Sequence, residues 1–143
     1  MATAASAPDA RESVAYVVRC KNRKLGHATD MGTVTSTARE KLKNAHVLLV
    51  ESNHDVEMLD VGPYPWLVKQ RIKSEFGHLS NEACGNLLAT VSHDRLKQVV
   101  LMHLSQTNNH PEIAYITALQ AMGSRAPQMV LARQDRATEL MEV

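Results

Sequence analysis

Leu101-Met102-His103-Leu104-Ser105, continuing into Gln106-Thr107-Asn108-Asn109, is a hydrophobic run that stops on a histidine beside a polar turn. Two further segments share this build. Lys24-Leu25-Gly26-His27-Ala28-Thr29 runs into Asp30-Met31-Gly32 ahead of a helix, and Val47-Leu48-Leu49-Val50 ends in Glu51-Ser52-Asn53-His54-Asp55. Short apolar strands that deliver Asp, Glu or His at their C-terminal tips, with helical patterns between them, predict an α/β sheet carrying a site along one edge. Carboxylate and imidazole are ligands for zinc, manganese or iron, and a bridging Asp with a His on one ion is common in two-metal hydrolytic sites.

The remaining elements follow from periodicity and punctuation. Val14 to Arg19, a polar turn at Lys21 to Lys24 and the return from Leu25 predict a hairpin. Thr35 or Ser36 caps a helix carrying Ala38, Leu42 and Ala45, after which Val47 to Val50 suits a buried parallel strand. From Asp55 to Ser92 the chain reads as helical with breaks: Pro63 and Pro65 interrupt it, Gly77 ends the piece that starts near Trp66, and Ser80 or Asn81 opens the next. Leu96 to His103 is the following strand. Pro111 starts a last helix whose inner face is expected to be Ile113, Ile116, Leu119, Gln120 and Met122, with Gly123 as its stop, and Met129 to Ala132 forms an edge strand.

Composition sets bounds. With 44% hydrophobic and 22% charged residues the chain has the makeup of an ordinary globular domain, and a formal net charge of +1 gives no global electrostatic footprint for nucleic acid. Aromatics at 3% offer no evident row of stacking platforms. Two local basic clusters, Arg19-Lys21-Arg23-Lys24 and Lys69-Arg71-Lys73, are either solvated faces or phosphate contacts. Cys20 and Cys84 are the two cysteines, without CxxC spacing, so buried or incidental thiols are expected rather than a disulfide framework. The small-residue start Met1 to Pro8 lacks the basic and apolar regions of a secretory signal, and residues 1–12 are expected to be a disordered lead. No run approaches the ~18 apolar residues of a membrane span, so a cytoplasmic location is expected.

Five blocks in order, Ala28-Thr29-Asp30-Met31-Gly32, Glu51-Ser52-Asn53-His54-Asp55, Gly62-Pro63-Tyr64-Pro65, Gly77-His78-Leu79-Ser80-Asn81 and His103-Leu104-Ser105, resemble the metallo-β-lactamase-fold hydrolases. Within that superfamily the chain is most similar to the YycJ/WalJ branch, related to ribonuclease Z, over roughly Val14 to Gly123. The resemblance implies an αββα sandwich, two divalent ions such as zinc or manganese, and phosphodiester hydrolysis of the kind carried out by DNA exonucleases. The signature His-x-His-x-Asp-His loop, which should precede the Asp30 block, does not occur in this sequence, and Pro8 stands where a further metal-binding His is usual. Residues 13–143 are therefore expected to be the C-terminal portion of such a domain, with a complementary N-terminal half or a homodimer as partner and nucleic acid as substrate. A catalytically silent α/β subunit, or a truncated gene product, is the competing reading.

By resemblance Asp30 is the carboxylate that bridges two ions and His103 the last metal-binding histidine. From spacing alone Asp30 reads as a turn or cap residue and His103 as a strand-end histidine. Glu51 and His78 resemble the paired Glu and His that ribonuclease Z relatives use near the leaving group, as a catalytic proton shuttle; the plain alternative has His78 packing a loop and Glu51 capping a backbone amide. The Asn53-His54-Asp55 segment is, by resemblance, a loop over the active site, and Asp55 is equally an N-cap for a short helix. His27, His46, His93 and His110 read as surface or packing residues.

Overall fold

The computed structural model describes residues 2–6 and 13–143. Among these, strands β1 (Ala2–Ser6), β2 (Val14–Cys20), β3 (Arg23–Ala28), β4 (Val47–Glu51), β5 (Gln98–Met102) and β6 (Gln128–Leu131) form one sheet in sequential order. β1, β2 and β3 pair antiparallel, whereas β3, β4, β5 and β6 run parallel. Parallel neighbours need crossovers, and helices supply them. α1 (Ser36–Leu42) joins β3 to β4, α2 (Val56–Val61), α3 (Trp66–Lys73) and α4 (Asn81–Val91) join β4 to β5, and α5 (Pro111–Met122) joins β5 to β6.

Strand alternation assigns the core. Ala15, Ala28, Leu48, Val50, Val99 and Leu101 lie in one buried cluster with Ala38 and Leu42 of α1, Cys84, Leu87, Leu88 and Val91 of α4, and Ala114, Ala118 and Met122 of α5. Helices α1, α4 and α5 thus share one face of the sheet. The residues between them in sequence point to the opposite face. There Val47 and Val100 are buried, Leu25, His27 and Leu49 are half-buried, and Tyr16 and Val18 are 47% and 44% exposed.

Capping follows the sequence. The Thr35, Asp55 and Ser80 side chains accept the N–H groups of Ala38, Met58 and Ala83, closing the starts of α1, α2 and α4. Three expectations need correction. The inner face of α5 is Ala114, Ala118 and Met122, while Ile113, Ile116 and Leu119 are 39%, 50% and 38% exposed. The cause is a close crossing: a Cβ on Gly85 of α4 would sit 3.0 Å from the Ala121 Cβ and 3.5 Å from the Thr117 carbonyl, and only small residues pack at that distance. Next, α3 ends at Lys73 rather than at Gly77. Gly77 instead folds back so tightly that a Cβ would lie 2.0 Å from the Ile72 carbonyl oxygen. Finally, within the expected lead of residues 1–12, Ala2–Ser6 is a strand whose backbone satisfies the open edge of β2, with Ala2 opposite Val18; residues 1 and 7–12, Pro8 included, lie outside the described residues. No helix among the described residues is long and apolar enough to cross a membrane.

The cysteines separate by environment. Cys20 is exposed at the hairpin, and Cys84 is buried in α4, where desolvation pushes its thiol pKa up to about 12. Burial keeps the Cys84 thiol protonated and out of reach of solvent, so a thiol-disulfide reagent should modify one cysteine rapidly and the second only on addition of denaturant. Cys20→Ser should abolish the fast phase; fast reaction of both thiols in the folded chain would contradict this packing.

Candidate metal-dependent site

The parallel strands end together, and so do the residues that follow them. Ala28 of β3 is in register with Val50 of β4 and Leu101 of β5, which carries Asp30, Glu51 and His103 to the same edge. The loop before α4 adds His78. Asp30, Glu51, His78 and His103 each offer one ligand-type atom within 4.8 Å of all the others. The residues picked out from sequence are thus brought together by three strand tips and one loop.

Glu51 is the centre of this arrangement. Its side chain is fully buried, yet the carboxylate accepts four hydrogen bonds. Oε1 receives Nδ1 of His78 at 2.7 Å and Nδ1 of His103 at 2.8 Å. Oε2 receives the backbone N–H groups of Met31 at 3.1 Å and Leu79 at 3.3 Å. Burial alone would raise the Glu51 pKa, but the hydrogen bonds from His103, His78 and Leu79 outweigh it and hold the carboxyl below its ordinary value. The same bond raises the His103 imidazole above its usual value, against the opposing effect of burial. Glu51 thus caps two backbone amides and at the same time hydrogen-bonds two imidazoles.

An ionised carboxylate only accepts, so each imidazole must carry its proton on Nδ1. In the neutral ring this leaves the lone pair on Nε2, the arrangement in which a carboxylate orients a metal-binding histidine through its other nitrogen. The two rings meet edge to face, with centroids 5.1 Å apart. Asp30 is half-exposed, and its Oδ1 lies 3.6 Å from His103 Nδ1 and 3.8 Å from His78 Nδ1, beyond hydrogen-bond range and open to a cation. Thr29 Oγ1 donates to the other Asp30 oxygen at 3.1 Å and lies 3.4 Å from His103 Nδ1. The donor set fits a divalent ion that accepts oxygen and nitrogen, with Asp30 and the two imidazoles as candidate ligands and Glu51 behind them.

Backbone strain accompanies this geometry. Asp30 and His103 both have φ of +56°, a left-handed conformation uncommon outside glycine. Ser13 Oγ binds the Asp30 carbonyl, and Asn53 Nδ2 binds the His103 carbonyl at 2.8 Å. Asn53 is itself held by Asn109, whose Nδ2 reaches the Ser52 and Asn53 carbonyls at 2.8 and 3.0 Å, and Asn109 exchanges bonds with Asn81, which accepts from Ser52 Oγ. This buried amide network was not foreseen as functional, although Asn53, Asn81 and Asn109 all lie in or beside the motif blocks. His54 pairs with Ser80 as an isolated bridge and is buried, and desolvation lowers its pKa. His110 caps α5, His46 Nδ1 accepts the Lys24 N–H, and His93 Nε2 lies 2.9 Å from the Ala45 carbonyl, so these three serve the scaffold.

The family model described as the beta-lactamase superfamily domain matches residues 2–104. Over 114 residues the chain is 42% identical to the exodeoxyribonuclease YycJ of Bacillus anthracis, an alignment taking in 80% of this chain and 43% of that protein. It is also 42% identical over 94 residues to the exodeoxyribonuclease WalJ of Streptococcus pneumoniae serotype 2 strain D39, covering 66% of this chain and 35% of the relative. Among solved structures it is similar to the metallo-β-lactamase-fold protein YhfI from Bacillus subtilis, with a TM-score of 0.65 at 16% identity, over 92% of this chain and 46% of that one. These matches agree with the resemblance carried by the five sequence blocks. The chain spans less than half the length of each of these proteins.

Gly32 links the Asp30 turn to the loop that bears His78. A Cβ there would lie 2.3 Å from the Ser74 and Glu75 carbonyl oxygens, which are backbone and have no free rotation to yield. Gly32→Ala should therefore cost about 1–3 kcal/mol and lower the thermal midpoint by roughly 5–10 °C in calorimetry. An unchanged midpoint would show that the two loops are not in this contact.

Proposed function

This chain belongs to the β-lactamase superfamily, matched by its family model over residues 2–104, and on that premise we propose that its site is part of a metal-dependent phosphodiesterase centre that acts on nucleic acid. The observation that carries the reading is the fully buried Glu51 carboxylate holding two imidazoles beside the open carboxylate of Asp30. Two relatives at 42% identity carry the name exodeoxyribonuclease, which supports DNA as the substrate class.

The roles follow from the hydrogen bonding. Asp30 and His103 hold the metal, and Glu51 positions His103 through Nδ1. A divalent ion bound there would supply Lewis-acid polarisation of a phosphate oxygen. His78 is the general acid: with Nδ1–H fixed on Glu51, its protonated ring presents Nε2–H to the departing oxygen and returns to the neutral form when that proton leaves. Glu51 stays ionised throughout, since its task is to stabilise the imidazolium and keep the ring oriented.

Asp30 and His103 provide fewer groups than two ions need, at three or four ligands each. On the face of the sheet opposite α1, α4 and α5, Tyr16 and Val18 of the antiparallel β2 are half-exposed and leave apolar surface open. Both points favour a second half-domain carrying His-x-His-x-Asp-His, packed on that face and completing the site.

Co-expression with such a half, taken from a relative, should give hydrolysis of bis(p-nitrophenyl) phosphate that this chain lacks by itself. Asp30→Ala should abolish activity together with bound metal, whereas His78→Ala should retain metal and slow turnover about 10²–10⁴-fold. Undiminished hydrolysis by Asp30→Ala would overturn the metal assignment and favour the silent-subunit reading. Loss of metal in His78→Ala would make His78 a ligand instead of the acid.

A further inference from the structure

A cavity of about 340 Å³ opens beside the site and shares His78 and His103 with it. Away from the imidazoles it is lined by Tyr64, Ile72, Gln106, Thr107 and Gln134. We infer that this cavity is a nucleoside subsite, receiving the base and sugar of the nucleotide whose phosphate lies at the Asp30–His103 centre; the inference rests on the phosphodiesterase reading above.

Charge makes the first distinction. Apart from the two shared histidines, no ionisable side chain except the Tyr64 phenol lines the cavity, whereas a phosphate pocket would be expected to present Arg, Lys or a helix N-terminus. Lys69 and Lys73 do not line it and bond instead to the Asp60 carbonyl and carboxylate. The part of the substrate that enters is therefore uncharged. Size makes the second. About 340 Å³ is near the lower end of small-ligand cavities, roughly 300–1,000 Å³, which suits one nucleoside.

Shape and polarity make the third. Tyr64 lies half-buried in Gly62-Pro63-Tyr64-Pro65, where flanking prolines restrict the backbone and lower the cost of presenting a flat ring. Bases stack on such rings irrespective of sequence. Gln106 and Thr107, also in the lining, are exposed on a loop fixed by Ser105 Oγ, which accepts the N–H groups of Thr107 and Asn108. Gln134 donates its amide to the Leu104 carbonyl, a bond that does not use its side-chain oxygen. Carboxamide and hydroxyl groups that both donate and accept match the edge of a base splayed from its strand.

The test is an NMR titration of the ¹⁵N-labelled, metal-free chain with thymidine, with inorganic phosphate and with Zn²⁺, each added separately. Thymidine should shift the amides of Tyr64, Gln106 and Thr107; Tyr64→Ala should weaken its binding at least about tenfold, and Tyr64→Phe should retain it. Spectra elsewhere in each variant report whether the fold is kept. No thymidine response, a response indifferent to Tyr64→Ala in a folded variant, or phosphate shifting the same amides as strongly would overturn the subsite. Zn²⁺ perturbing His103 without thymidine binding would overturn the subsite and leave the metal centre standing. Thymidine binding without a Zn²⁺ response would support the subsite and count against the metal centre.

Discussion

The buried carboxylate of Glu51 is the interaction on which the geometry of this site depends, because it ties three separate loops to the end of β4. Its four hydrogen bonds reach Met31, next to Asp30; His78 and Leu79, ahead of α4; and His103, after β5. A carboxylate removed from water costs several kcal/mol, and the cost is recovered only when its lone pairs are well satisfied by donors. Here two imidazole and two amide donors meet that requirement. Removing a donor would leave part of a buried charge uncompensated, which makes the loops mutually dependent.

The sheet explains why these loops converge. Parallel strands end at the same edge, and an open α/β sheet leaves its crevice outside their carboxyl ends. Asp30 and His103 turn away from their strands through left-handed backbone conformations. Asn53 and Asn109 stabilise the second turn through bonds to the carbonyls of His103, Ser52 and Asn53, just beyond the ends of β5 and β4. A ligand set on short loops thereby acquires the precision of the scaffold.

The strand tips were legible because each broke a hydrophobic run with a residue whose chemistry the run did not need. Asp30, Glu51 and His103 stand out on those grounds, His78 only through the resemblance of its Gly77-His78-Leu79-Ser80-Asn81 block, and the capping roles of Thr35, Asp55 and Ser80 follow from local rules. What the sequence hid were distances. The α5 face was misassigned because side-chain size suggests burial, whereas the close approach at Gly85 selects alanine and leaves Ile113, Ile116 and Leu119 outside. The asparagine network was hidden for a related reason: an amide that binds a backbone carbonyl fifty residues away leaves no periodic mark. The strand at Ala2–Ser6 is held by backbone pairing, to which its small side chains give no clue.

If Glu51 orients both imidazoles, the proton positions on those rings are determined before any metal binds. The most direct measurement is a long-range ¹H–¹⁵N correlation spectrum of the metal-free chain, recorded at alkaline pH. The account predicts that His78 and His103 are each protonated at Nδ1 with a bare Nε2, and that Glu51→Ala lets both rings average between tautomers. Nε2–H tautomers in the unmodified chain, or rings already averaging there, would contradict it.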